Sequence, residues 1–321
     1  MKYKVCIIGL GDIGFAYDKN LPDKFILSHS RAIIRHNKFV LISGIDSSSK
    51  KRKNFSDFYG ISSYSSIKEA IDKDSFDVFI ISTSTKNHLQ CLKEIAKYQK
   101  NKIILCEKPL SFSLDDADEM LKISNKNNFN LFVNYMRRSD PSTLSIKKMI
   151  TTLDMQFPVK GTVFYSGGFF NNGSHFLNLL QMFFGKIKSY NLIKKKKKLN
   201  GDFDVDVLLS FNKAEMIFIS IPYNKYSHYS MNIFSASGRL IYEEGGEDIN
   251  WVSPRNDDIF QKYSSLNFYK RIDNDMDKYQ FNVLNQLYFF MNNKPYSLCT
   301  GKEAYETIKI MHEICKESKN V

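Results

Sequence analysis

The spacing Gly9-x-Gly11-x-x-Gly14, placed directly after the apolar run Val5, Cys6, Ile7 and Ile8, is suited to wrapping a pyrophosphate. The first glycine permits a tight turn, the second lets backbone amides approach the anion, and the third allows close helix packing. Asp12 and Ile13 lie between the glycines and belong to the same cofactor loop. An acidic side chain closing the second strand should accept bonds from an adenosine ribose, and Asp46, after Leu41 to Ile45, stands there. Gly14 and Asp46 are farther apart than the usual ~20 residues. An insertion around Asp18 to Phe25, ahead of a helical segment Ser30 to Ile34, accounts for the excess. The Asp46 carboxylate would repel a 2′-phosphate and favours NAD. Lys50, Lys51, Arg52 and Lys53 follow closely and could hold that phosphate, so NADP stays open.

Such a loop needs a sheet to carry it. Apolar runs at Phe39 to Ile45, Val78 to Ser82, Ile103 to Cys106 and Leu131 to Val133 predict strands apolar on both faces. Between them, Ile67 to Ile71, Leu89 to Ala96 and Ala117 to Ile123 repeat at helical spacing. The alternation predicts an α/β fold with a doubly wound parallel sheet, a Rossmann domain over residues 1–137. After Asp140 and Pro141 the pattern changes to strand-like segments at Gly161 to Phe164, Ser189 to Lys198, Asp204 to Phe211, Met216 to Ile221, Met231 to Phe234 and Arg239 to Glu243. Helical segments at Ser145 to Leu153, His175 to Phe184, Tyr279 to Met291 and Glu303 to Cys315 frame them. A second, α+β domain with a largely antiparallel sheet is expected over residues 138–321.

With 321 residues, 43% hydrophobic and 25% charged, the chain suits a folded, two-domain protein rather than a disordered or multi-span membrane chain. Its net charge of +12 attracts anions in general. Five cysteines without a Cys-x-x-Cys pair argue against a disulfide framework or a zinc ribbon, and no metal site is expected. No export signal or membrane span is visible, so a reduced, cytoplasmic setting is expected. The run Lys194 to Lys198 invites a nucleic-acid reading. An edge strand whose lysines face Asp204 and Asp206 across a hairpin turn at Leu199 to Asp202 is favoured over it.

A family resemblance enters with Thr83, Ser84, Thr85, Lys86, Asn87 and His88 after one strand and Cys106, Glu107, Lys108, Pro109 and Leu110 after the next. These segments resemble the glucose-fructose oxidoreductase, inositol dehydrogenase and MocA family. Val133 to Arg138, Asn171 to His175 and Ser237 to Leu240 are similar to further family segments. The resemblance implies an N-terminal nucleotide-binding domain, a C-terminal domain with a large open sheet that forms homodimers or homotetramers, and pyridine-nucleotide chemistry on sugars or cyclitols; the basic charge balance adds a carboxylated or nucleotide-linked sugar as the expected substrate. It adds Thr83, Ser84, His88, Glu107 and Lys108 to the cofactor-binding residues.

Beside the resemblance, Lys108 ends a predicted strand on its carboxyl side, where its ammonium can bond a substrate oxygen as negative charge develops. His175 is the candidate acid/base, placed in the first turn of a helix capped by Ser174, where the helix N-terminus would disfavour imidazolium. His29, His36, His228 and His312 are assigned no role. Tyr135 and Tyr165 are candidate pocket residues, and Arg137, Arg138 and Lys160 could meet an anionic part of the substrate. Asn171 stands where the family usually has aspartate, and Asn178 departs likewise. Asparagine can orient an imidazole but cannot stabilise its charge, which favours ketone reduction or weakened catalysis. The rival is a non-catalytic nucleotide-binding regulator on the same fold.

Overall fold

The computed structural model describes residues 2–222, 225–257, 259–260 and 262–317. The chain opens with β1 (Tyr3–Ile8), α1 (His29–Arg35), β2 (Phe39–Ile45), α2 (Ser49–Tyr59), β3 (Ser62–Tyr64), α3 (Ile67–Lys73), β4 (Val78–Ile81), α4 (His88–Tyr98), β5 (Ile103–Glu107), α5 (Leu114–Lys126) and β6 (Asn130–Asn134). It continues with α6 (Pro141–Thr151), β7 (Val159–Ser166), α7 (Ser174–Phe184), β8 (Ser189–Lys197), β9 (Phe203–Ser210), β10 (Ala214–Ile221), β11 (Tyr229–Ser235), β12 (Gly238–Glu243), β13 (Asp248–Asn256) and β14 (Ser264–Arg271). It closes with α8 (Tyr279–Met291), β15 (Cys299–Thr300) and α9 (Gly301–Lys316).

Two compact units result: Met1–Ser139 with Asp277–Ile308, and Asp140–Met276 with Lys309–Val321. One boundary between the units falls after Ser139, and the segment 277–308, read from sequence as part of the second domain, lies in the first unit. Helical periodicity reveals α8 without saying what its apolar stripe packs against. In the structure Val283, Leu284 and Leu287 join Val5, Ile7, Ile80 and Leu105 in one core.

The first unit holds a sheet in the order β15, β6, β5, β4, β1, β2, β3. β1 to β6 pair in parallel, and β15 adds an antiparallel edge against β6. β4 is buried at every position, as a strand with helices on both faces must be. The expected insertion is present between the glycine loop and α1, and a buried carboxylate organises it. Asp18 accepts the amides of Leu27 (2.7 Å) and Ser28 (2.8 Å), while Arg31 donates to the carbonyls of Leu21, Pro22 and Phe25. Ser28 then caps α1 by accepting the Arg31 amide.

The second unit holds a sheet in the order β14, β13, β12, β11, β7, β10, β9, β8. Every pair is antiparallel except β7 with β10. The lysine run lies on β8, an edge strand. Lys194 stands opposite Asp206 and Lys196 opposite Asp204, and Lys198 Nζ reaches Asp204 at 3.1 Å. Lys195 instead donates to the Cys315 and Glu317 carbonyls at the end of α9. β13 and β14 have no counterpart among the sequence-based strands, and β14 is exposed along its whole length. Among the described residues no helix is long and apolar enough to cross a membrane, and no cluster of ligating side chains could hold a metal ion.

Candidate active site

The glycine loop follows β1, and its glycines do different work. A Cβ on Gly9, whose φ is +102°, would stand 2.7 Å from the Ser82 and Thr83 backbone, and one on Gly14 would collide with the Gly9 carbonyl oxygen. Both are therefore packing positions. A Cβ on Gly11 would meet only the Lys51 ammonium, 3.9 Å away, so its surface is open to a ligand. Asp12 and Ile13 follow in a wide five-residue turn, Asp12–Ala16, ahead of the insertion.

At the carboxyl ends of β1, β2 and β4 lies a cavity of about 560 Å³, lined by Gly9, Gly11, Asp46, Lys51, Thr83 and Ser84 among others. That is the position and size a cofactor crevice takes in an open α/β sheet. Asp46 is held from two sides: Oδ2 accepts the Leu10 amide and Oδ1 the Ser48 amide, both at 2.9 Å. Lys51 Nζ is 3.7 Å from Oδ2. Arg52 is spent on the Asp46 and Ser47 carbonyls, so of the basic run Lys51 is the one that lines the cavity. The donors and the open glycine surface fit a dinucleotide, with Asp46 toward a ribose and the loop amides toward the pyrophosphate. Sequence reasoning missed Lys51 as a lining residue in its own right, and also Ser65, Asn87 and Gln90. The serines and asparagine follow short strands or turns and carry no signal of their own.

His88 does not line this cavity. It is buried, and its Nδ1 and Nε2 face the Leu110 and Thr83 carbonyls at 3.2 and 3.1 Å, which straps the two loops together from behind. Burial lowers its pKa, against the opposing pull of those carbonyls. Glu107 and Lys108 end β5. Burial alone would raise the Glu107 carboxyl, but the hydrogen bond and charge of His29, the Asn134 amide and the Lys108 charge outweigh it and hold the group below the usual range. Lys108 itself is half-buried, and Tyr135 and Arg137 lie just beyond β6, both largely buried. Arg138 is not available to a substrate. It donates to the Ser297 carbonyl at 3.1 Å and to Glu303 at 2.7 Å.

In the second unit, His175 is the second residue of α7 and 7% exposed. Ser174 is not its cap, since the chain already has helical φ and ψ at Gly173, and the Ser174 hydroxyl donates to the Asn171 carbonyl. The helical path begins with the turn Phe169–Gly173, and Asp202 closes its start. One Asp202 oxygen accepts the Phe170 amide at 3.0 Å and the other the Asn171 amide at 3.1 Å. A carboxylate thus offsets the helix N-terminus that was expected to act on His175. Gly168, at φ +100°, is required because a Cβ there would enter the Asp202 carboxylate. Asn171 is exposed and its side-chain amide donates to the Gly167 carbonyl at 3.4 Å. Tyr165 is a correction: it is fully buried, its hydroxyl donating to the Val205 carbonyl and accepting the Val205 amide, which locks β7 to β9. Lys160 is likewise paired, with Glu215 at 2.9 Å on the neighbouring strand.

Residues 3–135 match the Gfo/Idh/MocA oxidoreductase family with its NAD-binding Rossmann fold. Over these residues the first unit is similar to that family. It is 31% identical over 235 residues to the uncharacterized oxidoreductase YrbE of Bacillus subtilis, covering 66% of this chain and 65% of that one. It is 27% identical over 148 residues to myo-inositol 2-dehydrogenase of Thermotoga maritima, covering 46% of this chain and 40% of that one. The matches thus span less than two thirds of either relative. In structure it resembles the WlbA dehydrogenase of Bordetella pertussis, solved with NADH and UDP-GlcNAcA, with a TM-score of 0.76, 16% identity and coverage of 98% of this chain and 95% of that one. A match to an NAD-binding Rossmann fold gives a reason for each feature of the cavity: open Gly11, fixed Asp46, and the serine and threonine after β4.

Proposed function

We propose that the chain is an NAD-dependent oxidoreductase acting between the carbinol and keto states of a sugar, nucleotide sugar or cyclitol carbon. The observation that carries this reading is the cavity over Gly11, with Asp46 fixed at its rim by two backbone amides. NAD, when bound, supplies the nicotinamide that accepts or returns the hydride. Lys108 binds the substrate oxygen, and its ammonium stabilises the negative charge that grows there. His175 takes the hydroxyl proton in oxidation or returns it in reduction. The similarity to an inositol dehydrogenase and the fold shared with a dehydrogenase solved with a nucleotide sugar support the polyol class.

The test is a fluorescence titration with NADH and NADPH, repeated with pools of cyclitols, sugars and nucleotide sugars. One pool should discharge the NADH signal. Lys108→Met and His175→Asn should each retain NADH binding and lose turnover by about 100-fold or more. Binding without turnover on any pool, with both variants indistinguishable from the parent, would instead identify a regulator.

A further inference from the structure

Beneath the end of β5 lies a polar cluster that the reaction as proposed does not use. His29, at the start of α1, places Nε2 2.7 Å from Glu107 Oε1, and the same oxygen accepts the Asn134 side-chain amide at 2.7 Å. Because a carboxylate can only accept, the imidazole carries its proton on Nε2. Asn134 also donates to Gln280 Oε1 at 3.0 Å. His29, Asn134 and Gln280 are at most 3% exposed, whereas the Glu107 side chain keeps 12% of its surface. The cluster is thus a closed support under one accessible carboxylate. It is also incompletely satisfied: His29 Nδ1, Asn134 Oδ1 and Gln280 Nε2 are buried without a hydrogen-bond partner among the described residues.

Two acidic residues end parallel strands on opposite sides of β1: Asp46 on β2 and Glu107 on β5. At about 4.8 Å per strand, three spacings set β2 and β5 roughly 14 Å apart. A dinucleotide carries two ribose diols joined by a pyrophosphate, and the glycine loop between the two strands suits that link. Asp46 serves the adenosine ribose, which leaves the Glu107 end for the nicotinamide ribose.

We infer that His29 is a positioning residue for NAD. It and Asn134 occupy Oε1 of Glu107, fixing the rotamer so that Oε2, whose contact is a long 3.4 Å bond from the Lys108 amide, is kept for the hydroxyls of the nicotinamide ribose. The inference rests on the chain taking NAD. The buried Asp18 of the insertion, paired with Arg31 of α1, sets the start of that helix and so places His29, which gives the insertion a purpose in the cofactor site.

The test uses the full chain and two ligands: NADH, which has both riboses, and ADP, which has only the adenosine half. His29→Ala should weaken NADH by about tenfold, the loss expected of a hydrogen bond to a charged group, and leave ADP within about twofold. His29→Gln, which keeps a side-chain N–H donor, should recover most of the loss. In a Glu107→Gln background, His29→Ala should add nothing further, because it acts through that carboxylate. NADH affinity unchanged in His29→Ala, equal weakening of NADH and ADP, or additive losses in the double variant would each overturn the inference. If the parent bound neither ligand, the cofactor assignment would fall and this role with it, whereas normal binding of both ADP and NADH in His29→Ala isolates a failure of the His29 role alone.

Discussion

Two glycines of the same loop are predicted to fail in different ways when given a methyl group. Gly14→Ala drives a Cβ into the Gly9 carbonyl and should cost about 1–3 kcal/mol of stability. Gly11→Ala meets no backbone, so its urea midpoint should stay near the parent's while NADH affinity falls, because the surface lost is the one a pyrophosphate approaches. Equilibrium unfolding beside an NADH titration separates the two. A second residue-scale prediction concerns Glu303, whose carboxyl burial would raise but which Arg138 and the Thr300 amide hold below the usual range. Its folded pKa lies below the unfolded value of about 4.3, so its stabilisation is present above that pH and lost as pH falls through the folded value. Glu303→Gln should therefore destabilise by less than about 1 kcal/mol at pH 7, because the side chain is nearly half exposed and solvent screens the pair, and the difference should shrink as pH falls, measured as ΔG of unfolding. At this scale the sequence showed what spacing encodes: the glycine loop and Asp46. It could not show what tertiary partners decide. Tyr165 looked like a pocket tyrosine until its hydroxyl was found bound to Val205, and His29 drew no attention because Glu107 lies 78 residues away.

Among the elements, the helix carrying His175 depends on a hairpin far along the chain. The amides that begin the turn at Phe169 have no partner in their own segment, and Asp202, in the tip between β8 and β9, accepts two of them. Asp202→Ala should cost about 1–2 kcal/mol in chemical denaturation, the usual loss of an N-cap. It should also lower turnover through the frame of His175 while leaving NADH affinity, a property of the first unit, unchanged. A variant with parental turnover would separate the cap from the chemistry. Most elements were legible because their periods are clean: α8 matches Tyr279–Met291 at both ends, and β2 matches Phe39–Ile45. Those that escaped have weak patterns. α2 is dominated by lysine and serine, and β3 and β15 are too short to show a period.

At the level of the whole molecule, the first unit is discontinuous in sequence. Residues 277–308 supply α8, whose Val283, Leu284 and Leu287 complete its core, and β15, which closes the β6 edge. A chain shortened to residues 1–276 should therefore lose NADH binding although every lining residue of the cavity is kept, and near-ultraviolet circular dichroism should report loss of packing. Retained NADH affinity would show that the parallel sheet stands without α8. The sequence contained both halves of this unit but not their pairing, since Asn134 and Gln280 are 146 residues apart.

That discontinuity sets an order of events during synthesis. At about 5–20 residues per second, a ribosome needs roughly 10–35 s to pass from Asn134 to Ile308. For that interval the leading strands wait with an unfinished apolar face. The trailing sheet has all its strands by Arg271, before Cys299 and Thr300 exist to close the leading one. The half encoded second is therefore the half whose sheet can be finished first.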